Sequence, residues 1–561
     1  MIEKFKKVLI PDGAKISKRK NAWYVQVVVK REYIKSKKYY KETKVAVGKK
    51  VSMSDDETYM FPNLNYFIYF KEGKVEEIVS TQEFSDSVSF GLHSTSELIL
   101  EKIGINKILK DIFGNKTDLI KALANYYLSD GNNTIQGFKY WLFKNYAGLE
   151  KIYSESYISD LLNNQLTTEK IYKFQSEWYK TYKKLNNENI KESYINVDST
   201  NISSTSQNIE KAEYGYSKNK ENEPIINIGL ITDQNNGFPI YYDIYSGSIT
   251  DMAQCEILVE KAKQLGIKEQ TLVMDRGYFS SKNISFLEQN NFKFIMMAKL
   301  WNKNLQKALD ENKDFLKHNI NMLIDNNETF ATTIKGKVFT DNPKEFNIVL
   351  IHNPTKETER VSYYTKYFTK MVNQVKQLKK IKPHIIESYE DYLDIEQDES
   401  GKLISVKPNN KSFHKHIQNA GFYAIISNTN KDTKEIIKAY RKRDSIEKMF
   451  KWIKTQTNFN KNYSYNDGVL ESKTFITFIS SIIKSFITFH CSELIKKKST
   501  LTFNSILGEL SKIEVTNIDG KYVRKNSLTA KQKEILNCLN ISSEELYKSI
   551  ISINEKSLIL F

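Results

Sequence analysis

Residues 270–278 read QTLVMDRGY, a short apolar run that leads directly into a carboxylate. A run of this length, Gln270 to Met274, is typical of a strand that is buried on both faces of a sheet. An open α/β sheet presents ligand-binding residues just beyond the carboxyl ends of its strands, so Asp275 stands where a functional carboxylate is expected. The stretch predicts a central strand followed by a candidate site residue.

The segments around this strand predict a mixed sheet flanked by helices. Tyr194 to Asp198 reads as a short strand that ends in a second carboxylate and is followed by a polar loop. The turn Asn235-Asn236-Gly237 favours a hairpin. The other predicted elements are hairpin strands at 225–232 and 238–245, a helix at 251–265 capped by Thr250, a helix at 281–289 and a strand at 292–297. This order of elements is that of a ribonuclease-H-like core.

A third carboxylate lies on the most strongly predicted helix of the chain, Thr433 to Lys454. At about 100° per residue, a stripe of roughly 60° on this helix contains Tyr440, Arg443, Glu447 and Lys454. One face therefore carries an aromatic hydroxyl, two cations and a carboxylate. Taken alone, the pattern is more typical of a solvated face with an i,i+4 ion pair between Arg443 and Glu447.

Together these segments resemble the DDE transposases of bacterial insertion sequences, in the insertion-sequence-four superfamily. The family's tyrosine-arginine-glutamate-lysine signature, with gaps of two, three and six residues, is matched by the stripe on the helix. Its aspartate, any residue, glycine, aromatic motif is matched at 275–278, and its strand ending in aspartate and a hydroxyl residue at 197–200. The 172 residues from Asp275 to Glu447 predict an inserted subdomain, as in members of this superfamily.

The resemblance implies site residues and cofactors. The expected catalytic and metal-binding residues are Asp198, Asp275 and Glu447. Their hard oxygen ligands suit two Mg²⁺ ions, for which Mn²⁺ can substitute. The residues expected to contact DNA near the site are Tyr440, Arg443, Lys454 and Arg276.

The implied function is that of a transposase that binds the terminal inverted repeats of its insertion sequence, cleaves the ends with two metal ions and joins the 3′-hydroxyls to target DNA. Two alternatives remain open. One is a ribonuclease-H-like Mg²⁺-dependent endonuclease without strand transfer, and the other is a catalytically inactive DNA-binding regulator. By resemblance the partners are double-stranded DNA of the element ends and target, and a second copy of the chain in a homodimeric DNA complex.

Charge and composition agree with a nucleic-acid partner. The chain has 561 residues and a net charge of +17, and residues 1–50 alone hold 16 Lys or Arg against 4 Asp or Glu. Predicted strands at 23–29 and 39–47 carry aromatic residues beside basic ones, so Lys18, Arg19 and Lys20 are candidate DNA contacts. A small solvated hairpin with a charged outer face explains this pattern equally well.

Cysteine usage and hydropathy bear on the compartment. Three cysteines without metal-ligand spacing argue against zinc fingers and for a reducing interior. We expect neither a signal peptide nor a membrane partner, because the apolar stretch from Thr474 to His490 is interrupted by serines and Lys484. The expected location is the bacterial cytoplasm, in association with the nucleoid.

The expected fold class is multidomain α/β: a ribonuclease-H-like mixed sheet core with a strand-rich insertion, a basic β N-terminal region and helical flanking regions. The expected domains are 1–90 (basic, β-rich, DNA-contacting), 91–190 (helical), 191–300 (first part of the core), 301–420 (insertion), 421–495 (second part of the core, with the catalytic helix) and 496–561 (helical). Trp301 and Trp452 are candidate stacking partners for a flipped base, although core positions are more common for such aromatics. His414 and His416 are expected on a solvated strand.

Overall fold

The computed structural model describes residues 6–19, 22–35, 38–51, 58–70, 75–77, 87–186, 193–216, 223–267, 270–325, 328–378, 383–498, 500–518 and 521–559. The chain divides into two compact units. The first comprises residues 1–86 and 150–152, and the second comprises 87–149 and 153–561. It is a multidomain α/β protein, and each unit is described separately below.

The first unit is an antiparallel sheet with one helix. Its described elements are β1 (Lys6–Leu9), β2 (Lys15–Arg19), β3 (Ala22–Ile34), β4 (Tyr39–Lys50), β5 (Tyr59–Pro62), α1 (Leu64–Tyr69) and β6 (Val75–Glu77), and the strand order is β2-β3-β4-β5-β1-β6. The two strands predicted at 23–29 and 39–47 are confirmed as parts of β3 and β4. Its small buried core is formed by Val8, Val25, Val47, Met60 and Tyr66.

The second unit begins with a short strand and a helical region. Its elements are β7 (Ser87–Ser89), α2 (Gly91–Lys102), α3 (Ile105–Phe113), α4 (Thr117–Ser129), α5 (Ile135–Leu142), α6 (Glu155–Asp160) and α7 (Thr168–Leu185). These helices lie in the segment 91–190, for which the sequence predicts a helical region. Phe138 and Trp141 are buried in this region, as expected for core residues.

A mixed sheet follows, in the predicted order of elements. These are β8 (Tyr194–Ser204), β9 (Ile225–Asp233), β10 (Pro239–Ser246), α8 (Asp251–Gln264), β11 (Thr271–Met274), α9 (Ser281–Gln289) and β12 (Lys293–Ala298). The hydroxyl of Thr250 caps α8 as predicted, by accepting from the backbone N–H of Ala253. Strands β8, β11 and β12 run parallel, and the β9–β10 hairpin extends the sheet antiparallel to β8.

The region between β12 and the next core strand mixes helices and strands. It contains α10 (Lys303–His318), β13 (Leu323–Asp325), β14 (Thr329–Lys337), β15 (Glu345–His352), α11 (Pro354–Lys376), α12 (Pro383–Tyr389), β16 (Leu393–Gln397), β17 (Leu403–Pro408) and α13 (Asn410–Ile417). His414 and His416 lie on α13, so the prediction of a strand there was wrong. The ring of His416 stacks between those of Tyr364 and Tyr392, and this packing favours a helix over an alternating exposed strand.

The remaining elements are β18 (Phe422–Ser427), α14 (Thr433–Arg441), α15 (Asp444–Gln456), β19 (Lys461–Asn462), α16 (Asp467–His490), α17 (Ser492–Lys497), α18 (Phe503–Ser511), β20 (Glu514–Ile518), β21 (Lys521–Arg524), α19 (Ala530–Cys538) and α20 (Ser543–Ile559). The C-terminal region is therefore not purely helical, because β20 and β21 pair and β20 also pairs with β7. Within the described residues, no helix is long and apolar enough to cross a membrane.

The strands of the central sheet follow the order β10-β9-β8-β11-β12-β18-β15-β14-β13, with β19 beside β8. Three strands of the insertion thus continue the same sheet. Side chains alternate between its faces. Leu272 and Met274 belong to the large core that also contains residues of α8, α9 and α16, whereas Val273 packs with Ile436 and Ile437 of α14 on the other face.

Two predicted elements differ from the structure where the candidate site lies. The strand that starts at Tyr194 does not end at Asp198 but continues to Ser204, since residues 199–203 pair with β9 in register. The long helix predicted from Thr433 to Lys454 is interrupted at Lys442 and Arg443. The N–H of Arg443 bonds to the carbonyl of Tyr440 at 3.1 Å, an i→i+3 bond that tightens the turn between α14 and α15.

Candidate active site

Asp198 and Asp275 lie side by side on neighbouring parallel strands. Val197 of β8 is in register with Met274 of β11, so the two aspartates occupy equivalent next positions. Val197 and Met274 face the large core, and alternation therefore turns both carboxylates toward the face that α14 covers. Asp198 lies in the interior of β8, whereas Asp275 directly follows the last residue of β11, Met274. The two aspartates are adjacent because each follows one member of the Val197–Met274 pair.

Arg443 connects the three predicted carboxylates. Its Nη1 lies 2.6 Å from Asp198 Oδ2, its Nη2 donates to Glu447 Oε1, and the same nitrogen lies 3.8 Å from Asp275 Oδ1. The turn between α14 and α15 positions this side chain beside Asp198 of β8 and close to Asp275 at the end of β11. The structure therefore brings Asp198, Asp275 and Glu447 together around one guanidinium group.

The three carboxylates differ in their exposure to solvent. The side chain of Asp198 is 10% exposed, that of Asp275 34% and that of Glu447 54%. Glu447 lies in the first turn of α15, where the positive end of the helix dipole favours an acidic residue. The site thus has a buried floor at Asp198 and an open rim at Glu447.

Tyr440 supports this arrangement from the last turn of α14. Its hydroxyl donates to Asp275 Oδ1 at 3.1 Å, and its ring centroid lies 5.5 Å from the guanidinium carbon of Arg443. Burial, with a further contribution from Asp275, raises the pKa of the Tyr440 hydroxyl, so this group stays a proton donor at neutral pH. Burial acts to lower the pKa of Arg443, but Tyr440 and the three carboxylates outweigh it, and the net pKa is raised.

The other residues predicted to contact DNA do not all lie at the carboxylate cluster. Arg276 lines the same cleft as Glu447, whereas Lys454 lines a separate shallow pocket with Thr200 and Lys451. Lys18 and Arg19 belong to β2 of the first unit, where the ammonium group of Lys18 lies 4.0 Å from the ring centroid of Trp23. Lys20 lies outside the described residues.

A cleft of about 1130 Å³ opens beside Glu447 and Arg443. Cations line it, namely Arg276, Lys299, Lys356, Arg360, Lys415 and Arg441. Aromatic rings line it as well, and among these Trp301 is 77% exposed and Tyr363 60% exposed. Trp452, the other tryptophan considered for stacking, is buried on α15 and lies outside this cleft. A basic cleft with accessible rings suits the phosphates and bases of a nucleic acid.

A fourth carboxylate, Asp251, escaped the sequence analysis. It accepts hydrogen bonds from the hydroxyls of Ser199 and, at 2.9 Å, Tyr245. Ser199 follows Asp198 in β8 and donates its backbone N–H to Asp198 Oδ1 at 2.8 Å. In the sequence, Asp251 follows the N-cap Thr250 and is indistinguishable from a helix-capping acid. The structure shows a different role, because β8 continues beyond Asp198 and Asp251 accepts a hydrogen bond from Ser199 within that strand. Asp251 thus helps to fix the strand that carries the site.

The donor chemistry of the site fits a hard divalent cation, since three carboxylates approach one point from β8, from the end of β11 and from α15. Among the described residues, however, no group of three or more His, Cys, Asp or Glu side chains is arranged to hold a metal ion. The guanidinium of Arg443 stands between the oxygen atoms instead. The residues therefore match the chemistry of a metal site, while their present arrangement is that of an ion-pair cluster.

Comparison with known proteins assigns the chain to a family. A family model described as "Transposase DDE domain" matches residues 190–483, which is more than half of the chain, and the protein belongs to this family of transposases. Membership implies a DNA-cleaving enzyme. No curated protein matches the chain.

Among solved structures, the chain is similar to a piggyBac transposase, seen by cryo-EM in a synaptic complex with hairpin DNA. The sequence identity is 10%, the match covers 70% of this chain and 69% of that chain, and the TM-score is 0.35. The assignment to the family rests on the family model alone.

Proposed function

We propose that this DDE transposase is a member of the insertion-sequence-four superfamily that binds the terminal inverted repeats of its element, cleaves the ends and joins the 3′-hydroxyls to target DNA. One observation carries the proposal. Four residues of the motifs meet around the guanidinium of a fifth, Arg443, although up to 249 residues separate them in the chain: Asp198, Asp275, Tyr440 and Glu447. A solvated salt-bridge face on a helix would not contact Asp198 in the interior of β8 and approach Asp275 at the end of β11.

Members of this family generally use divalent metal ions, and we propose that Asp198, Asp275 and Glu447 hold two Mg²⁺ or Mn²⁺ ions. When bound, such ions activate the attacking oxygen and stabilise the leaving oxygen of the phosphodiester. The protein contributes position. Asp198 pairs with Leu230 of β9 and directly follows Val197, which pairs with Met274 of β11, and Tyr440 orients Asp275. Glu447 on the open rim is the carboxylate with the most freedom to adjust.

We propose that the basic cleft and the helix residues hold the DNA backbone. Arg276, Arg443 and Tyr440 are placed to contact the phosphates that flank the cleaved bond. Arg suits this task because its planar group donates two parallel hydrogen bonds to a phosphate. Lys454 would contact the backbone further along α15, and its separate pocket favours a phosphate several positions from the cut.

The finer assignments are proposals as well. We propose that the core is ribonuclease-H-like, and the strand order supports this, with β8, β11 and β12 parallel and the β9–β10 hairpin at one edge. Lys18, Arg19 and Lys20 of the basic N-terminal region would add sequence-independent contacts to DNA. We propose six domains with the boundaries given above, a homodimer in the DNA complex with the helices from Phe503 onward as candidate contacts, and a cytoplasmic, nucleoid-associated location.

The test is a cleavage and joining assay. The purified protein is incubated with Mg²⁺ and a labelled duplex carrying the end of its own element, beside Asp275→Ala and Glu447→Ala. A matched control is Glu493→Ala, which removes a carboxylate that is 73% exposed on α17. We expect nicked and joined products from the wild type and the control, and a loss of at least about a hundredfold in both site variants.

The products separate the possible functions. Nicks without joined products would indicate a metal-dependent endonuclease. Specific binding of the duplex without cleavage in Mg²⁺ or Mn²⁺ would refute the enzymatic proposal and indicate a DNA-binding regulator.

A further inference from the structure

The carboxylates of the site are already neutralised in part by a side chain of the protein. Arg443 is 11% exposed, and both of its terminal nitrogens are engaged with Asp198 and Glu447. Both oxygens of Asp198 are also occupied, Oδ2 by Arg443 and Oδ1 by the backbone N–H of Ser199. A divalent cation that approaches Asp198 therefore meets a positively charged guanidinium 2.6 Å from Oδ2, and this donor belongs to a side chain that can move.

A guanidinium and a divalent cation exclude each other at this point. They need the same oxygen atoms, and two positive groups a few ångströms apart repel each other strongly where burial lowers the effective dielectric constant. This competition explains why the described carboxylates converge without being arranged as a metal site. The site therefore has two alternative occupants for one position.

Two features of Arg443 suit its guanidinium to a second binding position, in the basic cleft. Its Nε is buried and makes no hydrogen bond within the described residues, so its hydrogen-bonding capacity is not fully used in the carboxylate cluster. The residue also lies in the short turn between α14 and α15 rather than inside a helix, and it borders the basic cleft. A phosphate in that cleft could accept hydrogen bonds from Nε and a terminal nitrogen together.

We propose that Arg443 is an exchangeable internal cation: in the DNA-free protein it occupies the carboxylate cluster in place of divalent metal, and a DNA phosphate draws it into the cleft and so opens the cluster to metal. This inference rests on the proposed function for the identity of the phosphate donor. It predicts that DNA and metal bind cooperatively, with the DNA phosphate increasing the affinity for metal. This coupling restricts metal binding, and therefore cleavage, to protein that has already bound DNA.

The first experiment measures Mn²⁺ binding to the DNA-free protein by electron paramagnetic resonance, which reports free Mn²⁺ directly. The variants are Arg443→Ala, Arg443→Gln and, as a matched control, Lys442→Ala, which removes the adjacent exposed cation. We expect both Arg443 variants to bind Mn²⁺ at least tenfold more tightly than the wild type, and Lys442→Ala to bind within about twofold of it. The gain should disappear in the double variant Asp198→Ala with Arg443→Ala.

Thermal unfolding provides a second readout that does not depend on activity. Removing one partner of a buried ion pair leaves an uncompensated charge and is destabilising. Mn²⁺ should therefore raise the melting temperature of Arg443→Ala more than that of the wild type. The Arg443→Gln variant, which retains hydrogen-bond donors, keeps the comparison available if the alanine variant does not fold.

The second experiment adds a duplex that carries the end of the element. Wild-type affinity for Mn²⁺ should rise at least tenfold, whereas that of Arg443→Ala should stay nearly unchanged. Equal Mn²⁺ affinities for wild type and both Arg443 variants, or no effect of DNA on the wild type, would overturn the inference. The proposed function stands if the wild type forms joined products in either case, and it fails separately if Arg443→Ala binds Mn²⁺ tightly while the wild type does not cleave DNA.

Discussion

Lys473 is a buried cation on α16 whose replacement should stabilise the protein. The residue is 7% exposed, and its ammonium group lies 3.4 Å from Asn133 Oδ1. Burial lowers the pKa of Lys473 from 10.5 to about 8. At ~1.4 kcal/mol for each pKa unit, this difference corresponds to about 3 kcal/mol that the folded state loses at pH 7, where the lysine is charged in both states.

The pH dependence of this penalty follows from its sign. Below pH 8 both folded and unfolded chains hold the proton, so the penalty is complete. Between about pH 8 and pH 10.5 the folded protein releases the proton while the unfolded chain keeps it, and the penalty declines until it vanishes. Lys473→Met, which retains the length of the side chain without its charge, should therefore stabilise the protein most at pH 7.

The assay is urea unfolding followed by tryptophan fluorescence at pH 7, 8 and 9. We expect Lys473→Met to raise the free energy of unfolding by about 3 kcal/mol at pH 7, and by progressively less at higher pH. Lys183→Met, at an exposed position of α7, should change it by less than about 0.5 kcal/mol. A Lys473→Met protein that is no more stable than the wild type, or a gain that is independent of pH, would refute the reasoning.

Two further predictions concern stability and use paired variants. Gly421 has a φ of +75°, and an added Cβ would lie 2.6 Å from Glu357 Cβ, so Gly421→Ala should lower the melting temperature, whereas Gly508→Ala, on an open face of α18, should raise it slightly. The Trp178 indole N–H donates to Pro239 O at 2.9 Å, but the buried Trp452 indole N–H has no hydrogen-bond partner in the described chain. Trp178→Phe should therefore cost about 1–2 kcal/mol more unfolding free energy than Trp452→Phe in urea titrations; equal costs would contradict this.

Most elements of the central sheet could be predicted from the sequence because their signals are local. The turn at 235–237, the N-cap Thr250 and the apolar run before Asp275 each define an element without reference to the rest of the chain. The order of these elements along the chain then restricts the possible topologies of the sheet. The strand pairing between β15 and β18 could not be predicted, since it joins residues about 75 positions apart through backbone hydrogen bonds that leave little trace in composition.

The candidate site was predictable as a set of residues but not as a geometry. Spacing on an ideal helix places Tyr440, Arg443 and Glu447 on one face, yet the chain turns at Lys442 and Arg443. That turn allows the guanidinium of Arg443 to reach Asp198. Helical periodicity alone does not predict this contact. Asp251 was missed for a related reason, because its role depends on Ser199 being in a strand that the sequence appeared to end one residue earlier.

The shared sheet has a consequence for how this protein can change in evolution. Strand β18 pairs with β12 of the core on one side and with β15 of the insertion on the other. Deleting residues 301–420 would leave β18 as an edge strand, with the buried residues Ala424 to Ser427 and their unpaired backbone groups open to another chain. Such an exposed edge strand promotes aggregation. The insertion therefore cannot be deleted without other changes to the core. Its loss would have to be accompanied by new charges or a proline on β18.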